Sequence, residues 1–309
     1  MMHPPPTLTP TKHRLGLPLF LARPIARLAR LLSRATGREG GALPGKVLLM
    51  LCPSAMQKLA LSGRRKGRRT ILVSATNGKT TLTAMLAEMF AADGLQVVHN
   101  VTGANLRSGI ATTLLQAGSS GDIAVLETDE ATLPRVAPDL QPDMILLGNL
   151  FRDQLDRFGE LEVLADHWRA TLGALDPARV TIIYNADDPL IAELVDAHVA
   201  QAAAVGIEAP VVAFGLDDPS VARDGLPHAA DSRFCRRCSH PLEYEHTWVG
   251  HLGAWHCPGC GYTRPPRDAT SESIKLDGLA ATTMTVDLPN GEQLALRLAI
   301  PGLYNVYNA

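Results

Sequence analysis

Residues 70–81, TILVSATNGKTT, constrain this chain more than any other stretch. Thr70 to Ser74 are β-branched, apolar or small, which predicts a short buried strand. Four small or polar residues, Ala75, Thr76, Asn77 and Gly78, make a turn. Lys79, Thr80 and Thr81 then open a helix expected to reach about Asp93, with Gly94 as its stop. Strand, small-residue turn, Gly-Lys-Thr and helix are the parts of a phosphate-binding loop. Backbone N–H groups and the helix N-terminus hold anionic oxygens, a lysine reaches the terminal phosphates, and a hydroxyl ligates Mg²⁺. The general pattern places a further glycine four residues before Asn77, where this chain has Val73. The competing reading is a surface Gly-Lys-Thr turn; the strand before it and the helix after it favour the phosphate loop.

A chain of 309 residues can bury a full core and suits two domains, or one large domain with an insertion. Its formal net charge of -2 does not imply wholesale nucleic-acid binding. No apolar run reaches the length of a membrane span. Residues 15–22 are short, run straight into Arg23 and Pro24, and carry no small-residue cleavage site, so they do not read as a secretory signal. Five cysteines, four of them in two CxxC pairs, suit a reducing cytoplasm and a metal site better than a disulfide framework.

Residues 1–12 are rich in Pro and Thr and are expected to be disordered. Over residues 24–35, Ile25, Leu28, Leu31 and Leu32 fall on one helical stripe and Arg23, Arg27, Arg30 and Arg34 on another. Two readings stay open: an amphipathic helix packed on the main domain, or a helix lying on an anionic membrane surface. A second basic cluster, GRRKGRR at 63–69, reads as a solvated loop.

Beyond the first helix, strands are expected at 95–99, 123–126, 144–147 and 180–184, and helices at 108–116, 161–175 and 189–199. Such alternation specifies a mostly parallel sheet with helices on both faces. Ligands collect at the carboxyl ends of strands in such sheets. Glu127, Asp129, Glu130, Asn149 and Asn185 all fall there, with the phosphate loop, so the carboxylates read as a Mg²⁺ site. Further on, Cys235-x-x-Cys238 and Cys257-x-x-Cys260 are separated by eighteen residues, within the spacing of a zinc ribbon. Each CxxC aims two thiolates at one tetrahedral metal, and four thiolates leave no open position for water. The zinc is therefore expected to be structural, and His240, His246, His251 and His256 are read as surface or packing residues. Residues 282–288 and 294–300 alternate with period 2 around Pro289-Asn290-Gly291, as an antiparallel hairpin does.

ATNGKTT, LETDEA, NLFRDQLDRFGE, NADDP and GLYNVYNA together resemble the central domain of the Mur ligases, and the likeness runs from about Gly41 to the last residue. The NLFRDQLDRFGE form, the four-cysteine insertion and the missing N-terminal nucleotide-sugar domain resemble the branch that amidates lipid II. The resemblance implies an α/β fold like the Mur ligase central domain, with a P-loop, a mostly parallel sheet, an inserted four-cysteine zinc ribbon and no C-terminal ligase domain. It divides the chain into an N-terminal extension (1–40), an ATP-binding domain (41–230), a zinc ribbon (231–267) and a return to the ATP-binding domain with the start of a linker (268–309). It implies that ATP phosphorylates the α-carboxylate of D-glutamate in the lipid II stem peptide, and that ammonia then displaces phosphate to give D-isoglutamine. Lys79 and Glu127 would be catalytic. Thr76, Asn77, Gly78, Lys79, Thr80, Thr81, Asn185, Asp188 and Asn305 would bind the nucleotide, and Thr80 and Glu127 the Mg²⁺. Cys235, Cys238, Cys257 and Cys260 would hold Zn²⁺. Asp153 and Gln154 stand where the family has Asp-His near a second metal, and the exchange of His for Gln154 weakens the case for that second ion.

Cys52 lacks the Gly-x-Cys-x-Gly turn of a glutaminase elbow. Ammonia is therefore expected from another polypeptide; the resemblance implies a separate glutaminase subunit of the GatD type, and a chain working in the cytoplasm, peripheral at the inner face of the membrane. The chain stops where a C-terminal ligase domain would begin, so a fragment or a reduced homologue is expected. Other readings are another Mur-type amino-acid ligase, or a zinc-ribbon P-loop ATPase or scaffold that binds nucleic acid or protein.

Overall fold

Strand β1 (Arg69–Ser74) runs through the middle of the molecule with five consecutive buried residues. In the computed structural model, which describes residues 16–35, 42–100, 104–152, 160–226 and 230–309, it is flanked on both edges and covered on both faces. Strands β3 (Ile123–Glu127) and β4 (Met144–Leu147) lie parallel to it on either side. β2 (Val97–His99) extends the β3 side, and β5 (Thr181–Asn185) and β6 (Val211–Leu216) extend the β4 side, all parallel. β10 (Ala269–Asp277) joins β6 in parallel, and β11 (Ala281–Asp287) and β12 (Gln293–Leu298) close the sheet antiparallel. The nine-strand order is β12-β11-β10-β6-β5-β4-β1-β3-β2.

Alternation along β1 feeds two layers, because successive side chains point to opposite faces. Ile71 and Val73 meet Leu82, Leu86 and Phe90 of helix α4 (Lys79–Ala92). Leu72 points the other way, into a core shared with α5 (Arg107–Ala117), α6 (Leu133–Leu140), α7 (Glu160–Gly173) and α8 (Pro189–Ala204). Leu114, Leu133, Trp168 and Ile191 are fully buried there or nearly so, each contributing about 1.5–3 kcal/mol. The helices α1 (Leu19–Ala35), α2 (Leu43–Leu51) and α3 (Ala55–Arg64) supply Ala22, Leu48 and Leu59 to the same core.

Between β6 and β10 the chain leaves the sheet and builds a small antiparallel one, β7 (Arg223–Asp224), β8 (Glu243–Val249) and β9 (Leu252–His256). Trp248 and Leu252 from it, with Val306 and Tyr307 of α9 (Leu303–Asn308), cover the sheet near Leu216, Ile274 and Met284. The expected α/β sheet and hairpin are present. Helices α2, α3 and α6, and strands β6 and β10, were not legible beforehand. In α6 two prolines, Pro134 and Pro138, masked an apolar spacing that is helical. β10 is polar at most positions, and it reaches the sheet only because β6 offers it an edge. The basic cluster at 63–69 is partly internal. Arg68 is buried, with its guanidinium on the carbonyls of Leu59, Gly118 and Ser120, and Arg64 reaches the carbonyls of Leu140 and Gln141. Residues 1–12, Asp153 and Gln154 lie outside the described residues.

Candidate functional site

The turn after β1 is held by a carboxamide acting as a backbone surrogate. Asn149, just past β4, accepts from the Asn77 N–H through Oδ1 at 2.9 Å, and its Nδ2 donates to the Asn77 carbonyl at 3.0 Å. The Thr76 N–H donates to the Asn149 carbonyl, and Thr76 Oγ1 accepts from the Phe151 N–H at 3.0 Å. The loop therefore has a set shape before any ligand arrives. Gly78 has φ +87°, a left-handed conformation that a residue with a Cβ enters only at a cost. A Cβ there would also overlap the Asn308 carboxamide.

Helix α4 starts at Lys79 with no side-chain cap and no acidic residue in its first turn. The first N–H groups of a helix lack intrahelical partners, and its N-terminus carries about half a positive charge. Residues Thr76 to Thr81 border an open cleft of about 440 Å³ whose other lining residues are Asn105 and Glu127. Lys79 Nζ donates to the Thr76 carbonyl at 3.1 Å and pairs with Glu130 at 3.4 Å. Glu127 is 2 % exposed, and its Oε1 accepts from Asn105 Nδ2 at 2.9 Å. Asn100 grips the same residue by its backbone, accepting from the N–H and donating to the carbonyl, each at 2.8 Å. A cationic lysine, a helix N-terminus, a hydroxyl at Thr80 and a nearly buried carboxylate thus face one space. The donor set suits a polyphosphate with a hard divalent cation.

Three other residues expected at a nucleotide do not line this cleft. Asp188 is fully buried and caps α8, accepting from Leu190 and Ile191 N–H groups through Oδ1 and from the Leu150 N–H through Oδ2. Asn185 is fully buried, with Oδ1 on the Asp187 N–H and an Nδ2 that has no partner among the described residues. Asn305 closes α9 on itself through Pro301 and Asn308. Asp129 is a turn residue whose Oδ1 accepts from the Ala131 N–H.

Sequence reasoning missed Asn105, Asn308 and Asp187. Asp187 is a fully buried junction: it accepts from the Leu216 N–H and the Tyr307 hydroxyl, pairs with Arg264 at 2.9 Å, and its carbonyl accepts from the Gly253 N–H. Burial pushes its carboxyl above the usual range, while Arg264, the Leu216 N–H and Tyr307 pull it down. Only Asp187's place in NADDP, at a strand's carboxyl end, hinted at a role; its partners lie far away in the chain. His251, read as a surface or packing residue, is fully buried, 3.3 Å from Asp188 and with its ring 4.5 Å from that of Phe151. The small sheet thereby abuts the support of the phosphate loop.

The four cysteine Sγ atoms lie within 4.8 Å of one another. Cys235 and Cys260 are 3.7 Å apart, Cys238 and Cys257 3.4 Å, close to the edge of about 3.8 Å for a tetrahedron with Zn–S arms of about 2.3 Å. The two CxxC turns are equivalent. The Ser239 N–H donates to the Cys235 carbonyl and the Gly261 N–H to the Cys257 carbonyl, both from left-handed positions, φ +61° and φ +74°. Burial pushes the Cys257 thiol up, but the Cys260 N–H and the Cys238 and Cys260 thiols outweigh it and bring it to about 7. Cys238, although the His240 N–H favours its thiolate, is pushed to about 12 chiefly by Cys257. A thiolate donor set of this shape fits one structural zinc.

The Mur ligase middle domain model matches residues 73–228. The chain is 31% identical over 288 residues to the lipid II isoglutaminyl synthase (glutamine-hydrolyzing) subunit MurT of Staphylococcus aureus strain N315, covering 92% of this chain and 60% of that one. It is 34% identical over 274 residues to the MurT subunit of Streptococcus pneumoniae strain R6, covering 88% and 56%. The chain thus spans about 60% of the length of these curated relatives. Among solved structures, a pseudomurein peptide ligase type C from Methanothermus fervidus superposes with a TM-score of 0.57 at 21% identity, over 78% of this chain and 44% of that one. With a matched middle domain, a parallel sheet and a phosphate loop at its carboxyl edge, the chain belongs to the Mur ligase family.

Proposed function

We propose that this chain binds ATP with Mg²⁺ at the head of α4 and activates a carboxylate, as the ligase-like subunit of an amide ligase in peptidoglycan synthesis. The observation that carries this reading is the cleft shared by the first turn of α4, Lys79 and Glu127. The α4 N–H groups and Lys79 would take the phosphates, and Thr80 and Glu127 would hold Mg²⁺. Bound there, the cation would supply charge neutralisation on the phosphates. Lys79 would exchange Glu130 for the nucleotide phosphates as its charge partner.

A carboxylate acylates nothing at neutral pH, and phosphoryl transfer gives it a leaving group. The reading extends by similarity to the MurT subunits: the carboxylate is the α-carboxylate of D-glutamate in the lipid II stem peptide. Its oxygen takes the terminal phosphoryl group and ADP departs. The nitrogen of ammonia then attacks the acyl carbon, phosphate leaves with that oxygen, and a proton is lost to give D-isoglutamine. Ammonia would come from a separate glutaminase subunit of the GatD type, with lipid II met at the inner face of the membrane. In this chain Cys52, outside the zinc cluster, is buried in the core. Its thiol stands 3.8 Å from the Ser54 hydroxyl and 3.9 Å from Lys58 Nζ, without the oriented histidine of a glutaminase beside it among the described residues. The zinc would be structural.

Calorimetry with ATP and Mg²⁺ tests the site. Lys79→Ala is expected to weaken binding about 10- to 100-fold, the loss of a charge-assisted contact; unchanged affinity would sink the assignment. Lipid II amidation with a glutaminase partner and glutamine, or with concentrated ammonia in its place, tests the chemistry.

A further inference from the structure

Helix α1 is docked by the face its sequence leaves smallest. Ala22 and Ala26 are fully buried against the protein, and the Leu17 N–H just before the helix donates to the Leu51 carbonyl at the end of α2. At 100° per residue, Phe20, Leu21, Ile25, Leu28 and Leu31 occupy an arc of about 140° that faces away from this contact, while Leu19 packs against the core. Phe20 is 73% exposed, Leu31 63% and Leu28 56%, with Leu21 and Ile25 exposed beside them. Arg23, Arg27 and Arg30 form a stripe along one border of the arc, and none of the three has a carboxylate partner among the described residues. A helix stabilised by packing turns its leucines inward. Here Leu21, Leu28 and Leu31 are outside, flanked by cations.

The charge distribution narrows what covers this face. The first 38 residues contain seven Lys and Arg and no Asp or Glu, in a chain whose net charge is -2. A second copy would set arginine stripe against arginine stripe with no acidic residue in α1 to separate them. A nucleic acid would use the arginines and leave Phe20, Leu28 and Leu31 in water. We propose that α1 is a membrane-surface anchor: the apolar arc enters the headgroup layer of an anionic bilayer while Arg23, Arg27 and Arg30 pair with lipid phosphates. This inference stands on α1 alone and is independent of the nucleotide reading.

The test is sedimentation of the whole chain with vesicles of phosphatidylcholine, alone or mixed with phosphatidylglycerol. The parent is expected to co-sediment with the mixed vesicles and far less with phosphatidylcholine. A combined Phe20→Ser, Leu28→Ser, Leu31→Ser variant should bind at least about tenfold more weakly. A combined Arg23→Gln, Arg27→Gln, Arg30→Gln variant should lose the preference for anionic lipid. The serine changes lie on exposed positions, so an unchanged circular dichroism melt separates lost binding from lost folding. Lys79→Ala should bind vesicles like the parent, whatever it does to ATP. Equal binding to both vesicle types, or serine variants that bind like the parent, would overturn the proposal. So would a lipid-free oligomer that the serine changes dissociate, since the occupant would then be a second copy.

Discussion

His198 shows how one buried side chain can set a pH limit. It is buried in α8 with Nδ1 on the Leu172 carbonyl at 3.1 Å, while Nε2 has no partner among the described residues. Burial lowers its pKa from 6.5, against the raising effect of the Leu172 carbonyl. The folded state therefore resists a proton that the unfolded chain accepts, and stability falls as pH drops below about 6.5. Denaturant midpoints measured from pH 7.5 to 5 should decline, and His198→Gln should remove part of that decline. A variant with the parent's pH slope would exclude His198 as a contributor. Ser239 offers an opposite case. It holds a left-handed φ of +61° in a turn where its counterpart is Gly261. Ser239→Gly should therefore raise stability by up to about 1 kcal/mol, read from the thermal melt of the zinc-loaded protein. A lower melting point would mean that the hydroxyl contributes more than the strain costs.

Among the secondary-structure elements, α4 and α9 meet where no short-range pattern joins them. Gly78 is the last residue before α4, and the Asn308 carboxamide lies over it. Gly78→Ala would impose both the left-handed strain and the overlap, so either the phosphate loop or α9 must shift. The expected result is ATP affinity reduced at least about tenfold with the fold intact, since the strain of about 1–2 kcal/mol falls on the cleft itself. Parent affinity together with an unchanged melt would show that α9 yields without cost. The strand-loop-helix and both CxxC turns were legible because each is written in contiguous residues. The clamp of Asn149 on Asn77 and the grip of Asn105 on Glu127 were not, because each partner lies more than twenty residues away.

Across the molecule the cysteine cluster and the cleft at the phosphate loop are linked through the carboxyl ends of β5 and β6. Arg236 and Arg237, inside the first CxxC, reach Asp166 of α7 and Asp196 of α8. The Trp255 indole donates to the Ala186 carbonyl, Arg264 pairs with Asp187, and His251 abuts Asp188 and Phe151. Phe151 in turn donates its N–H to Thr76 in the phosphate loop. Protein purified without chelator should contain one zinc per chain by elemental analysis. A structural zinc of this type is worth on the order of 10 kcal/mol. Its removal should melt the small sheet first and then weaken ATP binding through Phe151 and Thr76. Absence of zinc in the purified protein would refute the metal assignment, and unchanged ATP affinity after its removal would refute the coupling.

Contiguous residues were enough to specify most of the alternating strands and helices, though not α6 or β6, and with them the phosphate loop after β1, the two CxxC turns and the terminal hairpin. Each follows from periodicity or spacing within a few residues, where local sterics and hydrogen bonding decide. The buried face of α1 came from packing alone, since a pattern of leucines and arginines does not say whether alanines offer a better fit to α2. Asp187 became a junction in the same way: Tyr307 lies 120 residues away, and the charge is tolerable inside only once Arg264, Leu216 and Tyr307 converge on it. Asp188 was expected at the nucleotide by resemblance, but it caps α8 and accepts from the Leu150 N–H, a contact that only the packing of the chain beyond β4 against β5 provides. Burial is a property of the assembled surface, and no stretch of sequence carries it alone.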